Sequence, residues 1–196
     1  MRAFQPQHVP KPTGWTGQPP ALPAGNIDLE IGCGVGWHPI RYARENPART
    51  LIAIEHTAGK FRLFQSRLAH HAPMANLWPV HANAISWVTH CLPPRCLSRV
   101  LILYPNPTDL WFQRPFFGRL LESVADGGEI LLATNLDDVM HHAKRSANET
   151  WGLGLSRERR FGQADKPPEC PRTHFEKKYL LRGETCSDAT WVKTGT

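Results

Sequence analysis

Gly32, Gly34 and Gly36 interrupt the chain between an apolar run at 27–31 and an amphipathic segment that starts at Trp37. A turn this rich in glycine, directly after a buried strand and before a helix, constrains the fold more than any other feature. Glycine adopts positive φ and lets the backbone approach a ligand at the strand's C-terminal end. The helix that follows aims its free N–H groups and the positive end of its dipole at the same place. The alternation continues along the chain. Apolar runs predict strands at 27–31, 51–55, 77–80, 100–104 and 129–133, and amphipathic patterns predict helices at 37–45, about 59–71, 115 to about 125 and 137 to about 148. A turn at Asp126-Gly127-Gly128 leads into the fifth strand. This rhythm specifies an α/β fold, a mostly parallel central sheet with helices on both faces.

Two acids flank the turn. Glu30 precedes the first glycine by two residues, and Glu55 ends the second strand about 20 residues on, where an acid grips ribose hydroxyls. A glycine turn with an acid at the second strand serves dinucleotides and S-adenosylmethionine alike. Glu30 favours the latter, whose sulfonium and ammonium groups are cationic. Ligands in open α/β sheets bind outside the C-terminal strand ends, which brings Asn106 of "LILYPNP" toward the same crevice, although Pro-Asn-Pro is also turn chemistry. Asn83 in "VHANAI" stands where an adenine would be touched, and an Asx turn accounts for it as well. His38 has two readings, a reach into the ligand pocket or a helix-start role beside Pro39. The pairs His70-His71 and His141-His142 read as structural and Trp87 as core.

These residues resemble the tRNA (guanine-N7)-methyltransferases, the TrmB-like class of S-adenosylmethionine enzymes. The resemblance runs from about Asn26 onward and rests on five landmarks in order: "DLEIGCGVG", "LIAIE", "YPNP" for the family's "FPDPW", "GGEILLATN" for its "GG…ATD", and "RTHFE" for "TKFE". It implies a Rossmann-like class I methyltransferase domain over 27–196. S-adenosylmethionine would be held by Glu30, Gly32, Gly34, Gly36, Glu55, Asn83 and Asn106, with Asn106 and Glu176 in catalytic roles and Asn135, Thr173 and Glu176 on the target guanine. The chain departs from the family where Asn83, Asn106 and Asn135 replace acids. It also lacks the Lys- and Arg-rich run that follows "FPDPW", carrying instead an aromatic cluster of Trp111, Phe112, Phe116 and Phe117 that reads as packed, or as a face for a protein partner or self-association.

Composition bounds the reading. A chain of 196 residues supports one core. The first 26 residues hold six prolines and read as an extended arm. Five cysteines without C-x-x-C spacing argue against a disulfide framework and against a zinc site. No run suits a membrane span or a signal peptide, so a cytoplasmic protein is expected. From His141 to Arg182 ten basic residues face five acids, among them Lys166 and Glu169, placing five of the net +6 charges in the C-terminal third. That third is the expected site of tRNA phosphate contacts, with a solvated surface as the alternative.

Methylating guanine N7 needs no general base, because that nitrogen already presents a lone pair; placement is the task. The product purine is cationic, and Glu176 is the remaining carboxylate to offset that charge. The alternatives are a related methyltransferase with another substrate (a small molecule, another RNA or a protein) and a noncatalytic partner subunit.

Overall fold

The computed structural model describes residues 3–165 and 171–195; Lys166 and Glu169 lie outside them. Among the described residues, seven strands form one sheet: β1 (Asn26–Ile31), β2 (Arg49–Glu55), β3 (Leu77–His81), β4 (Leu97–Leu103), β5 (Val124–Thr134), β6 (Gly154–Phe161) and β7 (Cys186–Val192). Their order is β3-β2-β1-β4-β5-β7-β6. The first five are parallel, and β7 runs antiparallel to both β5 and β6. After β3 the chain returns across β1 to start β4. The carboxyl ends of β1 and β4 therefore bracket a switch point, where such sheets take ligands.

Among the described residues, six α-helices cover the sheet: α1 (Trp37–Glu45), α2 (Ala58–Leu68), α3 (Ala84–Cys91), α4 (Phe116–Ser123), α5 (Asp137–Glu149) and α6 (His174–Leu181). Strands enclosed on both faces need apolar residues at every position, and β4 shows the division. Val100 and Ile102 join the core under α3, α4 and α5, while Leu101 and Leu103 join the one shared with α1, α2 and α6. Local chemistry sets the helix starts. Gly36 opens α1 at φ 82, and a Cβ there would lie 2.0 Å from Phe64 of α2, so only glycine lets the two helices pack. Asn83 caps α3 by accepting from the amides of Ile85 and Ser86.

The described part of the proline-rich arm is irregular, with a 3-10 turn at Pro6–His8 and a second turn closed by the Trp15 amide on the Pro12 carbonyl, and Phe4, Trp15 and Leu22 pack against the core under α3 and α4. Phe4 meets Phe116 edge-on at 5.9 Å, and the Ser86 hydroxyl donates to the Pro10 carbonyl.

Several expectations change. α2 stops at Leu68, three residues short of His71, and His70 folds back on the Ser66 carbonyl. Asp126-Gly127-Gly128 lies within β5 as an irregularity in its pairing to β4, and Gly127 and Gly128 exchange backbone hydrogen bonds with Lys193. Phe112, Phe116 and Phe117 are buried, and Phe112 stacks on Phe117 at 4.3 Å. These rings are committed to the core against Trp191 and Trp151, which removes them as a docking face and leaves Trp111 alone partly exposed. Among the described residues, no helix is long and apolar enough to cross a membrane.

Candidate active site

The β1 turn and the end of β2 form one unit. Glu55 is buried and accepts from the amides of Gly34, at 2.9 Å, and Thr57, at 2.7 Å. Its charge thus ties the glycine turn to β2. Gly32 and Gly34 adopt φ of 77 and 62, and a Cβ on either would meet nothing within 4 Å. The turn therefore presents bare backbone to open space, the form of a ligand cradle. Glu30, also buried, lies 2.7 Å from Nδ1 of His38. Of the two readings of His38, the structure supplies a buried partner for the β1 acid, carried on the second residue of α1. Burial pushes the Cys33 thiol well up, with Glu30 and Glu55 adding in the same direction, so the thiol beneath the turn stays protonated.

Across the switch point, β4 ends at Leu103 and Tyr104 takes φ 52, outside the strand. A positive φ on a bulky residue is strained, and two contacts hold it here. The Tyr104 amide donates to Ala133 at 2.7 Å and its hydroxyl donates to Glu176 at 2.7 Å. Burial pushes the Tyr104 phenol well up, helped by Cys186, so it remains a donor. Glu176 is 0% exposed. Beyond Tyr104 it accepts from the Arg172 amide and Nε, each at 3.0 Å. Thr173 caps α6 by accepting from the Glu176 amide, so T-x-x-E here is a helix-capping signature.

The asparagines are less concentrated. Asn83 is exposed past β3, its carbonyl spent on the α3 cap. Asn106 is exposed and accepts from both the amide and the hydroxyl of Thr108, which is the turn role; it borders a small recess with Trp111 and Val139. Asn135 donates to Glu184 at 2.8 Å, tying the end of β5 to the segment between α6 and β7. The structure thus joins Glu30, Gly32, Gly34, Gly36 and Glu55 on one side, and Thr173 and Glu176 on the other. Tyr104 and Arg172, which the sequence does not single out, join Glu176 in this cluster. Both stand inside the sequence landmarks, and an Arg four residues before a Glu around a capping box is the signal that finds the second. Among the described residues, no cluster of His, Cys, Asp and Glu is arranged to hold a metal.

Residues 25–189 match a family described as "Putative methyltransferase". The chain is 27% identical over 176 residues to a tRNA (guanine-N(7)-)-methyltransferase of Marinobacter nauticus, covering 84% of this chain and 70% of the relative. It is 30% identical over 183 residues to one from Myxococcus xanthus, covering 87% and 84%. Among solved structures it resembles the 16S rRNA methyltransferase KamB, with a TM-score of 0.64 at 19% identity over 87% of this chain and 89% of that one. Another is the geranyl diphosphate C-methyltransferase of Streptomyces coelicolor A3(2), with a TM-score of 0.63 at 10% identity over 91% and 75%.

Proposed function

We propose that this chain, which belongs to the methyltransferase family matched over residues 25–189, methylates the ring nitrogen seven of a guanine in tRNA. One observation carries the reading. A bare glycine cradle braced by Glu55 at the end of β1 and the Tyr104–Glu176 pair at the end of β4 flank one switch point, on a chain 30% identical to an enzyme of that name.

The residues fit S-adenosylmethionine, which supplies an electrophilic methyl group when bound. A carboxylate has roughly four acceptor directions. Glu55 gives two to Gly34 and Thr57 and keeps capacity for a pair of ribose hydroxyls. Glu30 places negative charge under the cradle for the ammonium end, and His38 fixes its orientation. The free amide donors of the α1 N-terminus suit the carboxylate. Asn83 lies past β3 with its Nδ2 available to an adenine edge, and Asn106 at the end of β4 has its own amide nitrogen to offer.

On the acceptor side the chain's work is placement, because N7 needs no base. Positive charge develops on the purine during transfer. Glu176 offsets it from beneath, through the hydroxyl of Tyr104, while Thr173 and Asn135 set the ends of α6 and β5 around the base. The test is transfer of labelled methyl from S-adenosylmethionine to bulk tRNA lacking the modification. Incorporation supports the reading; cofactor binding without incorporation overturns the tRNA assignment.

A further inference from the structure

Ion pairing consumes part of the positive charge that the sequence concentrates in the C-terminal third. In the C-terminal third, Lys144 pairs with Glu158, Arg159 with Asp188, Arg160 with Asp137, and Arg172 with both Glu176 and Asp188. Among the described residues Arg145, Arg157, Lys177, Lys178 and Arg182 of that third form no ion pair, and Lys177 gathers with cations of α1 and α2. A groove of about 390 Å³ between α1, the end of α2 and α6 is lined by Trp37, Arg41, Arg44, Arg67, Arg172 and Lys177, and among the described residues no carboxylate lines it. Among the described residues Arg44, Arg67 and Lys177 take part in no ion pair, and the buried Nη1 of Arg67 has no hydrogen-bond partner. Trp37, 40% exposed, stands between two of them, with the Arg67 guanidinium 5.8 Å and the Lys177 ammonium 5.6 Å from its ring.

Three unpaired cations in one groove, two of them against an exposed indole, repel one another and are left for an anion to satisfy. A row of phosphates supplies that charge, and a positively charged groove with an aromatic face is how proteins track single-stranded or looped RNA. Trp37 directly follows Gly36, so the groove adjoins the glycine turn of the transfer site. We infer that this groove binds the sugar–phosphate backbone of the RNA substrate next to the target guanine, with Trp37 as the stacking face for an unpaired base. The inference rests on the tRNA reading above and adds to it where the RNA lies.

The test is anisotropy of a labelled, unmodified tRNA transcript with the full chain across a salt series, for R44E/K177E, the milder R44Q/K177Q and a control, R95E/R145E. The control changes the same charge on residues outside the groove: Arg95 is paired with Asp126 just before β4, and Arg145 is on α5. The expected result is a loss of about tenfold or more in tRNA affinity for R44E/K177E and a salt slope reduced by about 2, with a smaller change in the same direction for the glutamine pair. S-adenosylmethionine binding should stay unchanged, and the control should retain its affinity for tRNA. Equal losses in groove and control variants, or none in either, overturn the groove, as does binding by an acidic protein but not by tRNA. Normal label transfer with an unchanged KM for tRNA in R44E/K177E overturns the groove alone. Absence of transfer by the unaltered protein overturns the tRNA reading and the groove with it.

Discussion

The Tyr104 hydroxyl donates a 2.7 Å hydrogen bond to Glu176, a residue 72 positions further along the chain and 0% exposed. This contact closes α6 over the end of β4 and holds Tyr104 at φ 52. Tyr104→Phe removes one donor from a buried carboxylate and should cost about 1–3 kcal/mol of stability. Methyl transfer should fall while S-adenosylmethionine affinity stays near normal. Urea unfolding, cofactor titration and turnover measured together check this; unchanged turnover contradicts the assignment.

Glu176→Ala leaves the half-buried Arg172 without one of its two acidic partners and Tyr104 without its acceptor. Transfer should drop with cofactor binding nearly intact, and Glu176→Gln should recover stability but not rate. A glutamine variant with full turnover removes the electrostatic role.

Glu55→Ala releases the amides of Gly34 and Thr57 as well as any ribose contact. Losing charge-assisted hydrogen bonds of this kind weakens binding by about tenfold to a hundredfold. Calorimetric titration with S-adenosylmethionine measures it, and wild-type affinity would show that Glu55 serves the turn alone.

Two glycines of one turn should fail in different ways. Gly36→Ala drives a methyl into the Phe64 ring, 2.0 Å away, and should cost about 3 kcal/mol or more. Gly34→Ala meets no atom within 4 Å and pays only for its positive φ, about 1–2 kcal/mol, yet its methyl enters the cradle. Thermal melts and cofactor binding on the pair should separate stability loss from binding loss; equal binding in Gly34→Ala denies the cradle.

Asp188 gives the acid limb of stability. Burial resists its ionisation, but the Arg159 hydrogen bond and the charge of Arg172 outweigh burial and hold the carboxyl below its usual range. The folded-state value lies below the unfolded one, so the unfolded chain binds more protons between them and stability rises with pH there. The contribution is complete above the ordinary carboxylate pKa and is lost as pH falls through the lowered one. Asp188→Asn should therefore flatten the fall in denaturation midpoint below about pH 4. An identical acid limb in the variant would contradict it.

Legibility followed how each element announces itself. The β1 strand and α1 were readable nearly to the residue, since an apolar run, three glycines and Pro47 mark every boundary. The last third was not. β6 is exposed at every residue but Phe161 and reads as "GLSRERRF", while β7 buries Ser187, Asp188 and Thr190, so neither shows an apolar run. Asp188 lies in a strand because Arg159 and Arg172 neutralise it, a pairing that spacing does not reveal. The site divides likewise. The cradle and its two acids are local and were visible. The pairings Glu30–His38 and Tyr104–Glu176 are tertiary, and the aromatic segment after β4 proved to be core because Trp151 and Trp191 arrive from distant elements.

The most direct test of the central claim is to incubate the protein with S-adenosylmethionine and unmodified tRNA, digest the RNA and identify the methylated nucleoside. 7-Methylguanosine is the predicted product, formed although Asn83, Asn106 and Asn135 stand where the family carries acids. A different methylated nucleoside, or unmethylated RNA beside measurable cofactor binding, would contradict it.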